Sequence, residues 1–142
     1  MEQLSGPKRF WRFAFVCAES LLEAKKIEQD DFNELKSLGT NSDEPDTMLL
    51  AVCFTKPVGN LRRFAKFLGV DMWAPETVAD FCYHSHGGNS PGIYATVTAI
   101  NTNCVEVFDG KKTLKTLNIY QLILKVGDPV FVHLDCIVEK DE

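Results

Sequence analysis

The chain has 142 residues, 45% of them apolar and 25% charged, with a net charge of −5. That is enough apolar material for one domain or two small ones without disulfide staples. It argues against nucleic-acid binding by counterion release, because neither the first 90 residues (10 basic, 13 acidic) nor the remainder (5 and 7) is basic.

The five cysteines form no C-x-x-C pair, and Cys17, Cys53 and Cys104 sit in apolar runs. This predicts a reducing, cytoplasmic setting. No charged-then-apolar leader is apparent, and no apolar run approaches the length of a spanning helix, so no membrane insertion is expected.

The first half reads as helix. Phe10, Phe13, Ala14, Cys17, Ala18, Leu21 and Leu22 recur at three- and four-residue steps, predicting one amphipathic helix over Lys8–Ile27. Phe32, Leu35 and Leu38 after Asp30-Asp31 predict a short capped helix ending at Gly39. The polar stretch Thr40–Asp46 leads to an apolar helix over Thr47–Phe54, which Lys56-Pro57 interrupts. Leu61, Phe64, Ala65 and Leu68 share one face of the next helix, with Gly69 as its C-cap. Pro75 and Glu76 suit the first turn of another.

Gly87–Gly92 (GGNSPG) is the strongest breaker, and divides a helical module, residues 1–88, from a strand-rich region, residues 89–142. Ile93–Ile100 is rich in β-branched residues and Cys104–Phe108 alternates. Asp109-Gly110 signals a hairpin. Lys112–Ile119 is a weaker strand, and Val130–Leu134 a strong one that Cys136–Glu139 extends. Short strands at this density suit a small closed barrel, which removes sheet edges. The expected class is α+β: an N-terminal helical module, then a small OB-like β-barrel of about five strands.

Gly127, Asp128, Val130, Val132, His133, Ile137, Lys140, Asp141 and Glu142 follow a Gly-Asp turn, a V-x-V-H strand and an acidic tail. In this the carboxy-terminal region resembles the HypC/HupF family of nickel–iron hydrogenase maturation chaperones. Pro91-Gly92 followed by Val97 is similar to that family's entry into its first strand. The family's amino-terminal Met-Cys, which handles iron and docks partners, has no counterpart: four residues before Pro91 stands Gly87. The resemblance covers residues 91–142 and implies a docking role with His133 at or near a partner or metal-handling site. The helical region resembles no family known to us.

Cys82, His84 and His86 come at steps of two, which in an extended segment puts all three on one face. A thiolate and two imidazoles form a partial set for zinc or iron, and His133 would be a fourth ligand. Against this, histidines beside a Gly-Gly-Asn-Ser loop are commonly unliganded, and the spacing matches no standard zinc motif. His133 equally suits a half-buried strand histidine with hydrogen-bonded nitrogens. On a regular strand His133 and Cys136 face opposite sides, and a direct pair requires a bulge.

Trp11 and Phe15 lie on the flank of the first helix, off its main stripe, where they either meet a protein partner or pack inside the module. No phosphate loop and no H-E-x-x-H are present, and the paired carboxylates read as helix caps. The expected function is a non-catalytic assembly or maturation chaperone that docks on a metalloenzyme of the nickel–iron hydrogenase type, or on its maturation machinery. The alternatives are an accessory subunit of a redox complex and a small metal- or thiol-dependent enzyme centred on Cys82, His84 and His86.

Overall fold

The computed structural model describes residues 4–84 and 92–141. Six helices come first: α1 (Gly6–Phe15), α2 (Ala18–Glu23), α3 (Gln29–Asn41), α4 (Thr47–Cys53), α5 (Thr55–Leu68) and α6 (Pro75–Ala79). One π-helical turn, Asp80–His84, follows α6. Five strands come next: β1 (Ile93–Ile100), β2 (Val105–Phe108), β3 (Thr113–Thr116), β4 (Pro129–His133) and β5 (Cys136–Lys140). Contacts divide the chain into two compact units, Glu2–Asn89 and Ser90–Glu142. No helix among the described residues is long and apolar enough to cross a membrane.

In the helical unit, α1 starts where Ser5 accepts a hydrogen bond from the Lys8 amide and Pro7 occupies the first turn. The single helix expected over Lys8–Ile27 is two. Its first part stops at Phe15, where the Cys17 amide bonds back to Ala14 O at 3.0 Å instead of continuing the α pattern. Its second part stops at Glu23, because Lys25 turns left-handed (φ 57°) and Lys26 N–H reaches Leu21 O. That is the Schellman stop usually made by glycine, and no glycine marks it here.

The opposite holds at Gly39. It was expected to end a helix, yet α3 runs through it to Asn41. The face of the Trp11 indole lies against the Gly39 backbone, and an added Cβ there would fall 1.6 Å from Cε2. Gly39 thus serves close approach rather than chain reversal. Asp46 caps α4 by accepting from the Met48 amide at 2.8 Å. α4 stops at Cys53, before Lys56-Pro57, and Pro57 lies in the first turn of α5, where a helix needs no amide donor. Phe10 sits edge-on to both Phe54 and Trp73, and with Leu35, Leu50, Leu61 and Val78 it forms the buried interior.

In the second unit the strands form one antiparallel sheet in the order β3-β2-β1-β4-β5. Alternate residues Ala95, Val97, Val105, Val107, Val130 and Val132, with Ile137, build its apolar face, and Leu114, Leu122 and Leu124 pack against it. Leu122 and Leu124 belong to the irregular stretch between β3 and β4, which therefore lies over the sheet as a cover. Gly127, at φ 97°, makes the turn into β4. This turn is tied to β1: Gly127 N–H donates to Val97 O at 2.8 Å, and Val97 N–H to Asp128 O at 2.9 Å.

The sheet is not the closed barrel expected. Its edges, β3 and β5, touch at one parallel bridge between Leu117 and Cys136. There Leu117 N–H donates to Asp135 O at 2.8 Å and Ile137 N–H to Leu117 O at 2.9 Å. The reason is length: β3 has four residues, and the chain leaves its line just after Leu117. A closed seam needs a longer run of paired backbone.

Candidate functional site

The expected single strand from Val130 through Glu139 is a hairpin. Leu134 and Asp135 both have positive φ, 49° and 65°, the requirement of a two-residue type I′ turn. β4 therefore ends at His133, β5 starts at Cys136, and the two are register partners directly opposite each other. Directly opposed residues point to the same side of a sheet with Cβ atoms about 5 Å apart. The turn achieves what a bulge was expected to be needed for.

The pair lies on the sheet face away from the Val-rich core. Val132 and Ile137, one step in from the turn, are core residues, so His133 and Cys136 face the other way. Phe131 and Glu139 are the next opposed pair on that second face, with the Tyr94 ring edge-on to Phe131 at 5.7 Å. His133 is 4% exposed and Cys136 8%, and Phe131 and Glu139 are buried too. An imidazole, a thiol and a carboxylate thus share one buried surface of the β4–β5 hairpin. The sequence held a clue to Cys136: two residues between two apolar runs are a hairpin length. Leu-Asp lacks the Asn-Gly signature that announces a type I′ turn, so the clue is weak.

The other candidates are placed differently. Cys82 is buried in the π-helical turn, not in an extended segment. The extended backbone on which the shared face of Cys82 and His84 was premised is therefore replaced by a helical turn over Asp80–His84. His86 lies outside the described residues. Among the described residues no three His, Cys, Asp or Glu side chains converge to hold a metal ion.

Trp11 is buried within the helical unit. Its indole N–H donates to Leu35 O at 3.0 Å, its ring stacks on Phe15 at 4.8 Å, and Phe15 stacks in turn on Phe32 at 5.6 Å. The Lys8 ammonium lies 5.1 Å from the Trp11 ring centre and donates to Gly39 O and Ser42 O at the carboxyl end of α3.

A groove of about 440 Å³ opens between the β1–β2 turn (Ile100–Val105) and Leu117–Ile119. Its rim mixes exposed Ile100, Leu117 and Ile119 with Asn101, Asn103 and Asn118. Cys104 lines it half-buried, its sulfur 3.8 Å from the Asn101 amide nitrogen that donates to it. No protein-family model, no curated protein and no solved structure matches the chain.

Proposed function

We propose that this chain is a non-catalytic assembly or maturation protein that docks on a metalloenzyme of the nickel–iron hydrogenase type, or on its maturation machinery, through an OB-like unit of the HypC kind. One observation carries the reading. If the Leu117–Cys136 bridge is counted as a seam, strand adjacency runs β1-β2-β3-β5-β4 and back to β1, with β3 and β5 parallel. We read that circuit as support for a partly open five-stranded Greek key of the OB type, with the single bridge as its seam. The Gly127-Asp128 turn and the β4 strand ending in His133 fall within it at the positions that carried the resemblance.

Burial of both His133 and Cys136 favours a held pair over one offered to solvent. This same observation supports the second reading, an accessory subunit that uses the barrel for attachment alone. Affinity purification of the tagged full chain from its native cell tests both. Sub-stoichiometric recovery of a metalloenzyme subunit or a maturation factor is the expected outcome. Recovery of such a protein in fixed ratio would favour the subunit reading, and recovery of none would end the hydrogenase link. His133→Ala should reduce recovery while the thermal transition persists. Unchanged recovery would leave His133 as scaffold.

A further inference from the structure

The helical unit carries a surface that the resemblance does not touch. We infer that the outward face of α5 docks an acidic segment of a protein partner, with Phe67 as its apolar anchor. The inference rests on the docking reading and adds where contact is made.

Charge is the first observation. Residues 47–70 contain Lys56, Arg62, Arg63 and Lys66 and no Asp or Glu, in a chain with 20 acidic side chains. All four cations are exposed. Lys56, Arg62 and Lys66 form no ion pair among the described residues, and Arg63 donates to the neutral Asn60 side chain. Among the described residues no acidic side chain therefore pairs with this positive face.

The second observation is apolar exposure on that face. Val58, Leu61 and Ala65 form the buried stripe of α5. Lys56, Arg63 and Phe67 lie on the opposite side at steps of seven and four, so they form one column. Phe67 is 88% exposed, and Leu68 and Val70 beside it are 52% and 48% exposed. A lone exposed aromatic is ordinary, but three large apolar side chains at the end of a cationic column make a local patch. Aromatic anchors ringed by Arg are the composition of interface centres.

The third is rigidity. Gly69, at φ 69°, ends α5 with Gly69 N–H donating to Lys66 O at 3.2 Å and Val70 N–H to Ala65 O at 3.0 Å. Both bonds of a Schellman stop are made, so Phe67 stands on a completed helix. A pre-ordered anchor loses little entropy on binding.

A protein partner fits better than a membrane or nucleic acid. The chain is net negative, and an anionic bilayer or polynucleotide extends well beyond one helix face. A Debye length of about 8 Å lets a protein patch the size of α5 meet its cations while the remaining acids are screened. The apolar stripe of α5 is also already buried, so the helix has no long greasy side to lay into lipid.

Phe67→p-benzoylphenylalanine in the full chain, photolysed in the native cell, tests this. The expected product joins position 67 to one protein, within a segment of net negative charge. Arg63→Glu combined with Phe67→Ser should weaken binding of that protein by at least about ten-fold without moving the urea midpoint. Met48→Ser, exposed on the same unit, should leave it unchanged. Cross-linking to nucleic acid, to lipid or to a second copy of the chain would overturn the inference. So would wild-type binding to phosphatidylcholine–phosphatidylserine vesicles or oligo(dT) that Arg63→Glu removes, or full retention of the partner by the double variant. The two readings fail separately. A metalloenzyme partner retained by the double variant sinks this inference alone, whereas an acidic partner unrelated to metalloenzymes sinks the hydrogenase reading alone.

Discussion

His133 and Cys136 are register partners across the Leu134-Asp135 turn, which sets an imidazole and a thiol side by side on one face of the sheet. The turn is held in a conformation that neither of its residues favours. A side chain with positive φ costs about 1–2 kcal/mol, less for asparagine and aspartate, and glycine escapes the cost. Asp135→Gly should therefore raise stability by about 0.5–1 kcal/mol, after subtracting the extra freedom glycine gives the unfolded chain. Leu134→Ile should lower it, since a β-branched residue suits positive φ least. Urea midpoints of the two variants check the direction. A midpoint raised by Leu134→Ile would mean that the hairpin is not type I′.

The five thiols should differ in reactivity. Burial pushes Cys17 above the ordinary thiol value. Burial does the same at Cys53, and Asp31 and Glu34 add to it. The thiolate is the nucleophile, so both should be slow toward iodoacetamide at neutral pH and speed up only well above the usual thiol range. Cys82 and Cys136 are buried and should be slow for want of access. Cys104, half-buried in the groove, should label first. Mass spectrometry of the native protein over a time course gives the order. Early labelling of Cys136 would contradict its burial beside His133.

Gly39→Ala is ordinarily a stabilising change within a helix, by about 1 kcal/mol. Here the new methyl would enter the Trp11 indole, so the substitution should instead cost about 1–3 kcal/mol. Lys8→Met should also destabilise, by about 1–2 kcal/mol, because Gly39 O and Ser42 O lose a cationic donor at the end of α3. Trp11 fluorescence should shift in both variants, whereas α5 substitutions such as Arg62→Ala should leave it still. A Gly39→Ala protein more stable than wild type would place the indole elsewhere.

The contrast between Gly39 and Lys25 shows what could be read from residue order. Periodicity located most of the helices, because a buried stripe needs apolar residues at fixed steps whatever the fold, as Val58, Leu61 and Ala65 demonstrate. Helix ends were legible only where local chemistry sets them, as at Asp46 and Gly69. Lys25 ends α2 without a glycine, and Gly39 continues α3 despite being one. The Gly39 outcome depends on a contact with Trp11, far along the chain, and the Lys25 outcome on a left-handed backbone that lysine does not announce. The candidate site divides the same way. His133 was visible as a strand residue, but its opposition to Cys136 depends on two φ angles that Leu-Asp does not advertise. The face assumed for Cys82 and His84 required an extended backbone, and the π-helical turn after α6 replaces it.

Asp128 should make the strand unit acid-sensitive. Its carboxylate accepts from the Lys125 amide at 2.9 Å and pairs with the Lys140 ammonium at 3.3 Å. The Lys125 amide is the largest cause of a pKa held below the ordinary value; burial pulls the other way, and Lys140 adds to the lowering. A carboxyl that ionises more readily folded than unfolded stabilises the fold fully above the ordinary carboxylate range, near pH 4. The contribution disappears as pH falls through the lower, folded value. Asp109 behaves alike, held down by the Lys112 and Lys111 amides in the β2–β3 turn. Asp128→Ala should thus lower the urea midpoint at neutral pH and converge with wild type in strong acid. Lys140→Met should lower it less, because the Lys125 amide, the larger cause, remains. In Lys140→Met, carbon-detected NMR titration should still find Asp128 below the ordinary value. Its return to that value would mean that the ion pair, not the turn, sets the charge at the entry to β4.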